Sequence, residues 1–200
     1  MSETILICTD LDRTLLPNGP QPESADARAH FHQLVSQPQV KLAYVSGRDQ
    51  KLIQKAIQNY QLPQPDFVIG DVGSTMYRIE QTGDWKMVAE WYQYIDHDWN
   101  GYTRLQIGAL IQYEGLRLQE PAKQNDHKLS YYVPLNTDQK SSSAAILSVL
   151  NQQGVKASLI WSIDEPNGVG LLDIVPARAS KYLAIDYLLN NLKMDINQCV

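Results

Sequence analysis

The sequence is poor in cysteine, in clustered basic residues and in long apolar runs, and each shortage closes off a class of protein. Cys8 and Cys199 are the only cysteines in 200 residues. Each sits in a short apolar run, the setting of a buried free thiol in a reducing compartment, so a cytoplasmic location is expected. No basic run occurs and the formal net charge is −5. A nucleic-acid face needs clustered positive charge, so nucleic acid is not an expected partner. Met1 to Thr4 has no basic region and the apolar stretch behind it is broken at Asp10, so neither a signal peptide nor a membrane span is expected. What is present is 44% hydrophobic and 20% charged residues, enough for a folded core in one domain or in a core with an inserted subdomain.

Ile5 to Thr9 is a continuous apolar run ending at a polar cluster, the pattern of a buried parallel strand whose carboxyl end is at Asp10. A second segment begins near Pro22, and Glu23 to Gln37 carries Ala27, Phe31, Leu34 and Val35 at helical spacing. A strand over Lys41 to Val45, the turn Ser46-Gly47-Arg48-Asp49, a helix over Lys51 to Tyr60 and a strand over Asp66 to Ile69 follow. The first seventy residues therefore predict strand, helix, strand, helix, strand, an α/β class built on an open parallel, Rossmann-like sheet. The rhythm changes after Gly73. Thr75 to Ile79 and Asp84 to Glu90 read as strands around a Gln81-Thr82-Gly83 hairpin. Helices over about Asn100 to Gln112 and Ser141 to Gln153 then alternate with strands over Lys128 to Pro134 and Val155 to Ser162. That pattern predicts an inserted α/β cap over residues 81–170 between core segments 1–80 and 171–200. A strand over Leu171 to Val175 and a helix over Ala179 to Asn191 are expected to rejoin the first sheet.

The strongest chemical signal is Asp10-Leu11-Asp12-Arg13-Thr14 at a strand end, where open α/β sheets bind ligands. Two carboxylates this close repel unless a cation or a proton intervenes. Magnesium suits them, being a hard cation that takes carboxylate, phosphate and water oxygens. Asp10 could then attack phosphorus to form an aspartyl phosphate while Asp12 protonates the leaving oxygen and later activates water. A blander reading has the pair capping the next turn. The Ser46 hydroxyl and Gly47 amide at the next strand end can both donate to a phosphate oxygen, although a Ser-Gly turn opening a helix is also common. Lys181 opposes the dipole of the helix it opens, which a bound phosphate would reverse. Asp173, inside an apolar strand, needs a partner, and Lys181 is the candidate. His30 and His32 cannot face one metal together, Asp96-His97-Asp98 reads as a polar loop, and the Trp85 to Tyr102 aromatics read as core rather than as a sugar platform.

In order along the chain these pieces resemble the haloacid dehalogenase superfamily of phosphatases, with three of its four motifs present. Ile69-Gly70-Asp71-Val72-Gly73-Ser74-Thr75-Met76-Tyr77, Lys128-Leu129-Ser130-Tyr131-Tyr132 and Leu172-Asp173-Ile174-Val175-Pro176 with Ser180-Lys181 are similar to its sucrose-phosphatase branch and the mannosyl- and glucosyl-phosphoglycerate phosphatases. The resemblance implies a magnesium-dependent phosphomonoesterase acting on a sugar phosphate, with a cap that supplies the sugar contacts. It makes Asp10 the nucleophile and Asp12 the acid/base, and it places Ser46, Gly47, Arg48 and Lys181 around the phosphate. Lys128 joins the substrate-binding set, and Asp10 with the Asp12 main-chain carbonyl would hold the magnesium.

The departure is the final acidic motif, a Gly-Asp-x-x-x-Asp expected after a strand that Gln198-Cys199-Val200 begins. Its absence from these 200 residues suggests either a truncated piece of a working phosphatase or a natural short form of little activity. The alternatives to a hydrolase are accordingly a sugar-phosphate binding module and a receiver-type phospho-acceptor domain. Receiver domains lack the long insertion before the Lys, which favours an enzyme with a lid.

Overall fold

The structure, a computed structural model, describes residues 4–17 and 24–200. The proposed helix start at Pro22 and Glu23 lies outside the described residues. The chain divides into two compact units, Met1–Tyr92 with Ser180–Val200, and Gln93–Ala179.

The first unit is built on a five-stranded sheet in the order β1-β2-β3-β4-β5. β1 (Ile5–Thr9), β2 (Val40–Val45) and β3 (Phe67–Gly70) are parallel neighbours, as the apolar runs predict. β4 (Thr75–Ile79) returns antiparallel to β3, and β5 (Trp85–Met87) pairs antiparallel with β4 across the Gly83 turn. Beyond β1, Cys199 forms a parallel bridge with Leu6 and the Cys8 amide donates to the Val200 carbonyl at 2.8 Å, so the strand-like reading holds at Cys199 and Val200, while Gln198 ends a short 3-10 turn. The helices are α1 (Ala27–Val35), α2 (Gln50–Asn59), the first part of α3 (Ala89–Asp96) and, after the second unit, α6 (Lys181–Leu192). Leu11, Leu16, Leu42, Tyr44, Ile53 and Val68 form the buried core, each aliphatic side chain contributing about 1.5–3 kcal/mol by leaving water.

The second unit holds α4 (Arg104–Leu110), α5 (Gln139–Gln152) and a four-stranded antiparallel sheet in the order β6-β7-β9-β8. Its strands are β6 (Arg117–Leu118), β7 (Leu129–Val133), β8 (Ala157–Asp164) and β9 (Val169–Pro176). Trp99, Ile107, Leu129, Ile146, Leu150, Leu172 and Ile174 make its core.

Three expectations are corrected here. The strand over Leu171 to Val175 does not rejoin the first sheet: it is the centre of β9, paired along its whole length with β8 from Ala157↔Pro176 to Asp164↔Val169. A short turn closed by Gly168 (φ 61°) joins the two strands. Closing so short a loop costs little entropy, so a hairpin with the adjacent segment wins over a distant strand. The unit boundaries consequently fall at Tyr92/Gln93 and Ala179/Ser180 rather than at 80/81 and 170/171. The strand read over Asp84 to Glu90 also stops at Met87. Trp91 and Ile95, one helical turn apart and both fully buried, give α3 its apolar face instead.

Candidate active site

Residues 10–16 form a tight loop at the carboxyl end of β1, anchored by the buried side chains of Leu11 and Leu16. The Leu11 carbonyl accepts from the amides of Leu15 (3.1 Å) and Leu16 (2.8 Å), and Arg13 takes a left-handed conformation (φ 59°) to close the loop. The hydrophobic anchors leave Asp10 and Asp12 partly exposed at the rim. Asp10 Oδ1 accepts from the Leu11 amide at 2.7 Å, and Asp10 Oδ2 from Lys181 Nζ at 2.7 Å. Asp12 is gripped on both oxygens by Arg48, with Nη2 2.6 Å from Oδ1 and Nε 2.9 Å from Oδ2. The repulsion that the carboxylate pair implies is thus met by one cation apiece. The bidentate hydrogen bond to Asp12 also raises the Arg48 pKa above its usual value.

These cations arrive from two different elements. Arg48 lies in the loop after β2, where Ser46 is completely buried, its amide donating to the Ile69 carbonyl at 2.8 Å and its Oγ accepting from the Arg48 amide at 3.2 Å. Asp49 then caps α2, its carboxylate accepting from the Leu52 amide at 2.9 Å. Lys181 is the first residue of α6, capped by Ser180 Oγ accepting from the Leu183 amide at 3.2 Å. All four side chains of the two ion pairs are 27–41% exposed, so each pair is worth about 1 kcal/mol or less to folding. Such pairs can be exchanged for a ligand at small cost.

The structure therefore brings together Asp10, Asp12, Ser46, Gly47, Arg48 and Lys181 in one unit. Lys128 belongs to the other. It is 5% exposed at the entry to β7, its amide and carbonyl both bonded to Asn125 at 3.3 Å. Asp173 is likewise in the second unit, and its expected pairing with Lys181 is not found. Because β7 and β9 set Ser130 opposite Asp173, Ser130 Oγ donates to Asp173 Oδ1 at 2.5 Å, while Lys181 is engaged by Asp10.

Sequence reasoning missed a polar group around Lys128. Gln124 Nε2 donates to the carbonyls of Gln119 (3.1 Å) and Ser130 (2.9 Å), and Gln124 Oε1 accepts from the Ser130 amide at 2.8 Å. His127 Nε2 lies 2.9 Å from Asp96 Oδ1. Arg104, Leu118, Gln119, Pro121, Gln124, Asn125 and Asp126 line a cavity of about 280 Å³. Only the Lys128 to Tyr132 segment had pointed there. Asp98, read as part of a polar loop, is 2% exposed and accepts from the Arg178 amide at 2.7 Å, with the Arg178 guanidinium 3.3 Å away. Of the aromatics read as core, Trp91 and Trp99 are fully buried and Trp85 packs on Tyr77 at 5.5 Å, whereas Tyr94 is 41% exposed.

The family model described as sucrose-6F-phosphate phosphohydrolase matches residues 3–200. A "putative HAD-like hydrolase" of Nitrosococcus oceani is 47% identical over 201 residues, covering 100% of this chain and 54% of that one. The mannosylfructose-phosphate phosphatase of Agrobacterium fabrum is 26% identical over 198 residues, covering 98% of this chain and 73% of that one. The chain spans about half or less of the length of most curated relatives it matches. Among solved structures, the sucrose-phosphatase of Synechocystis sp. PCC6803, in complex with sucrose and phosphate, superposes with a TM-score of 0.78 at 24% identity over 99% of this chain and 74% of that one.

Proposed function

The chain belongs to the sucrose-6F-phosphate phosphohydrolase family, and from that premise we propose that it supplies the phosphoryl-transfer machinery of a magnesium-dependent sugar-phosphate phosphatase with Asp10 as nucleophile. The observation that carries this reading is the 2.7 Å contact of Lys181 Nζ with Asp10 Oδ2. An ammonium there orients the carboxylate and sits where it can also donate to a phosphoryl oxygen. Asp10 attacks phosphorus, forming an Asp10 oxygen–phosphorus bond as the sugar oxygen leaves. Asp12 delivers the proton to that oxygen and then takes one from the water that hydrolyses the aspartyl phosphate. A carboxylate held on both oxygens by Arg48 cannot carry that proton, so the described contacts are those of the resting site. An entering phosphate dianion draws Arg48 away and frees Asp12. Ser46 Oγ, an acceptor toward Arg48, keeps its own proton for a phosphate oxygen, and the Gly47 amide is the second neutral donor.

The donor set fits magnesium, which is commonly held by one or two carboxylates with water and phosphate oxygens completing the shell. Asp10 and the Asp12 main-chain carbonyl would hold it, with water and phosphate oxygens filling the rest of the shell, since among the described residues no group of three or more His, Cys, Asp or Glu side chains gathers for a metal. When bound, the ion would neutralise phosphate charge. Within the second unit, the polar cavity bounded by Arg104, Gln119, Gln124 and Asn125 is of a kind that suits a hydroxyl-rich ligand, and Lys128 of the same unit is assigned to substrate binding.

The test is phosphate release from a panel of phosphorylated disaccharides and hexoses. Turnover should require added magnesium, vanish with a chelator and return on readdition. It should fall on the order of 10³-fold or more in Asp10→Asn. Sugar-phosphate binding without turnover would favour a binding module instead.

A further inference from the structure

A strained stretch of backbone lies between the two halves of the phosphate site. After β3 the chain turns through three consecutive residues of positive φ: Asp71 (49°), Val72 (58°) and Gly73 (108°). A β-branched residue in the left-handed region is an outlier that persists only where its surroundings over-determine it. They do so here on both sides. On one side the Asp71 amide donates to the Arg48 carbonyl at 2.8 Å and the Val72 amide to the Ser46 carbonyl at 3.3 Å, tying the turn to the loop that carries Ser46, Gly47 and Arg48. On the other side Gly73 lies against the start of α6. A Cβ added to Gly73 would fall 2.5 Å from the Ser180 carbonyl carbon and 2.8 Å from the Lys181 amide nitrogen. Only a residue without a side chain admits that approach. Trp91, fully buried, donates from Nε1 to the Gly73 carbonyl at 3.1 Å and packs its ring on Tyr187 of α6 at 5.0 Å. The turn is closed internally by the Ser74 amide and hydroxyl, both donating to the Asp71 carbonyl.

We propose that the Gly70–Ser74 turn is the spacer that sets Lys181 against Asp10, and that Gly73 is a positioning residue for phosphate binding that acts through Lys181. The spacer acts through the backbone it positions rather than as a ligand of the phosphate. Its role is to fix how far the first turn of α6 stands from the Ser46–Arg48 loop, and so whether one phosphoryl group can be held from both sides. A methyl group at position 73 pushes the Ser180–Lys181 backbone outward and carries Nζ away from Asp10. The inference rests on the reading of Asp10 and Lys181 as a phosphate site.

The experiment is a double-mutant cycle in the affinity of the full chain for inorganic phosphate, measured by titration calorimetry with magnesium present, together with circular dichroism and thermal unfolding of each variant. Lys181→Ala should weaken phosphate binding by about tenfold or more, as loss of a charge-assisted hydrogen bond does, and Gly73→Ala by a similar factor. The double variant should bind no more weakly than Lys181→Ala alone. A Gly73→Ala protein that binds phosphate as tightly as the parent, or two losses that multiply, overturns the proposal. If Gly73→Ala gives no cooperative unfolding transition, Trp91→Phe takes its place, since it removes the hydrogen bond to the Gly73 carbonyl without adding an atom. It should weaken phosphate binding about threefold with Lys181 present and not at all in the Lys181→Ala background. An unchanged affinity in Trp91→Phe again overturns the proposal. Unchanged binding in Lys181→Ala itself overturns the underlying phosphate-site reading, a result distinct from additivity between the two positions.

Discussion

Arg48 and Lys181 have in common that each cation is spent on a carboxylate in the described structure, yet neither bond contributes much to folding. Because the Arg48–Asp12 pair is partly exposed, Arg48→Ala should lower Tm by a few degrees at most. If Arg48 turns to the substrate phosphate, the same variant should raise KM for a sugar phosphate about tenfold or more. A calorimetric scan beside a kinetic titration checks both numbers on one sample. Cys8, two residues before Asp10, is held differently. Burial, and then the neighbouring Cys199, raise its thiol pKa well above the usual range, so it stays protonated and poorly nucleophilic at neutral pH. Alkylation of Cys8 by iodoacetamide at about pH 8 should run about tenfold or more slower than that of a small free thiol, as peptide mass mapping would show. The residues proposed for the phosphate site, which the structure places in one unit, could be singled out because their chemistry is local: a carboxylate pair at a strand end, a Ser-Gly turn, a Lys against a helix dipole. Asp173 was misread for the converse reason, since its partner Ser130 is fixed by strand register, which one strand's sequence does not contain.

At the scale of elements, periodicity found nearly every strand and helix, because burial selects side chains at a period of two or 3.6 regardless of the partner. It missed α3, where Trp91 and Ile95 supply too short a stripe to outweigh the hairpin signal before it. It also assigned β9 to the wrong sheet. The caps at the starts of α2 and α5 give two tests. Asp49→Ala should cost about 1 kcal/mol by releasing the Leu52 amide at the start of α2. Asp138 caps α5, and the Ser141 hydroxyl and amide, with the Lys140 amide, hold its carboxyl below the usual range. A carboxyl whose folded pKa is depressed contributes stability that is complete above its unfolded pKa and is lost as pH falls through the folded pKa. Acid should therefore weaken the parent through that window, and Asp138→Asn should flatten this part of the dependence in denaturant midpoints measured against pH.

For the molecule as a whole, the change of rhythm after Gly73 fell inside the first unit, whose sheet β4 and β5 complete, while the α/β character of the second unit followed from alternating patterns. The boundaries did not follow, because they depend on which sheet accepts β5 and β9. Ile146, 2% exposed in the core of the second unit, should cost about 2–5 kcal/mol when cut to Ala. No helix among the described residues is long and apolar enough to cross a membrane. What joins sequence, fold and family membership is the chemistry of one carboxylate, which rapid acid quenching during turnover of a phosphorylated disaccharide, followed by peptide mass spectrometry, tests most directly. A hydroxylamine-labile phosphoryl group on the peptide containing Asp10, absent from Asp10→Asn, is the predicted result. Turnover with no covalent phosphoryl, or with the phosphoryl group on Ser46, would contradict it.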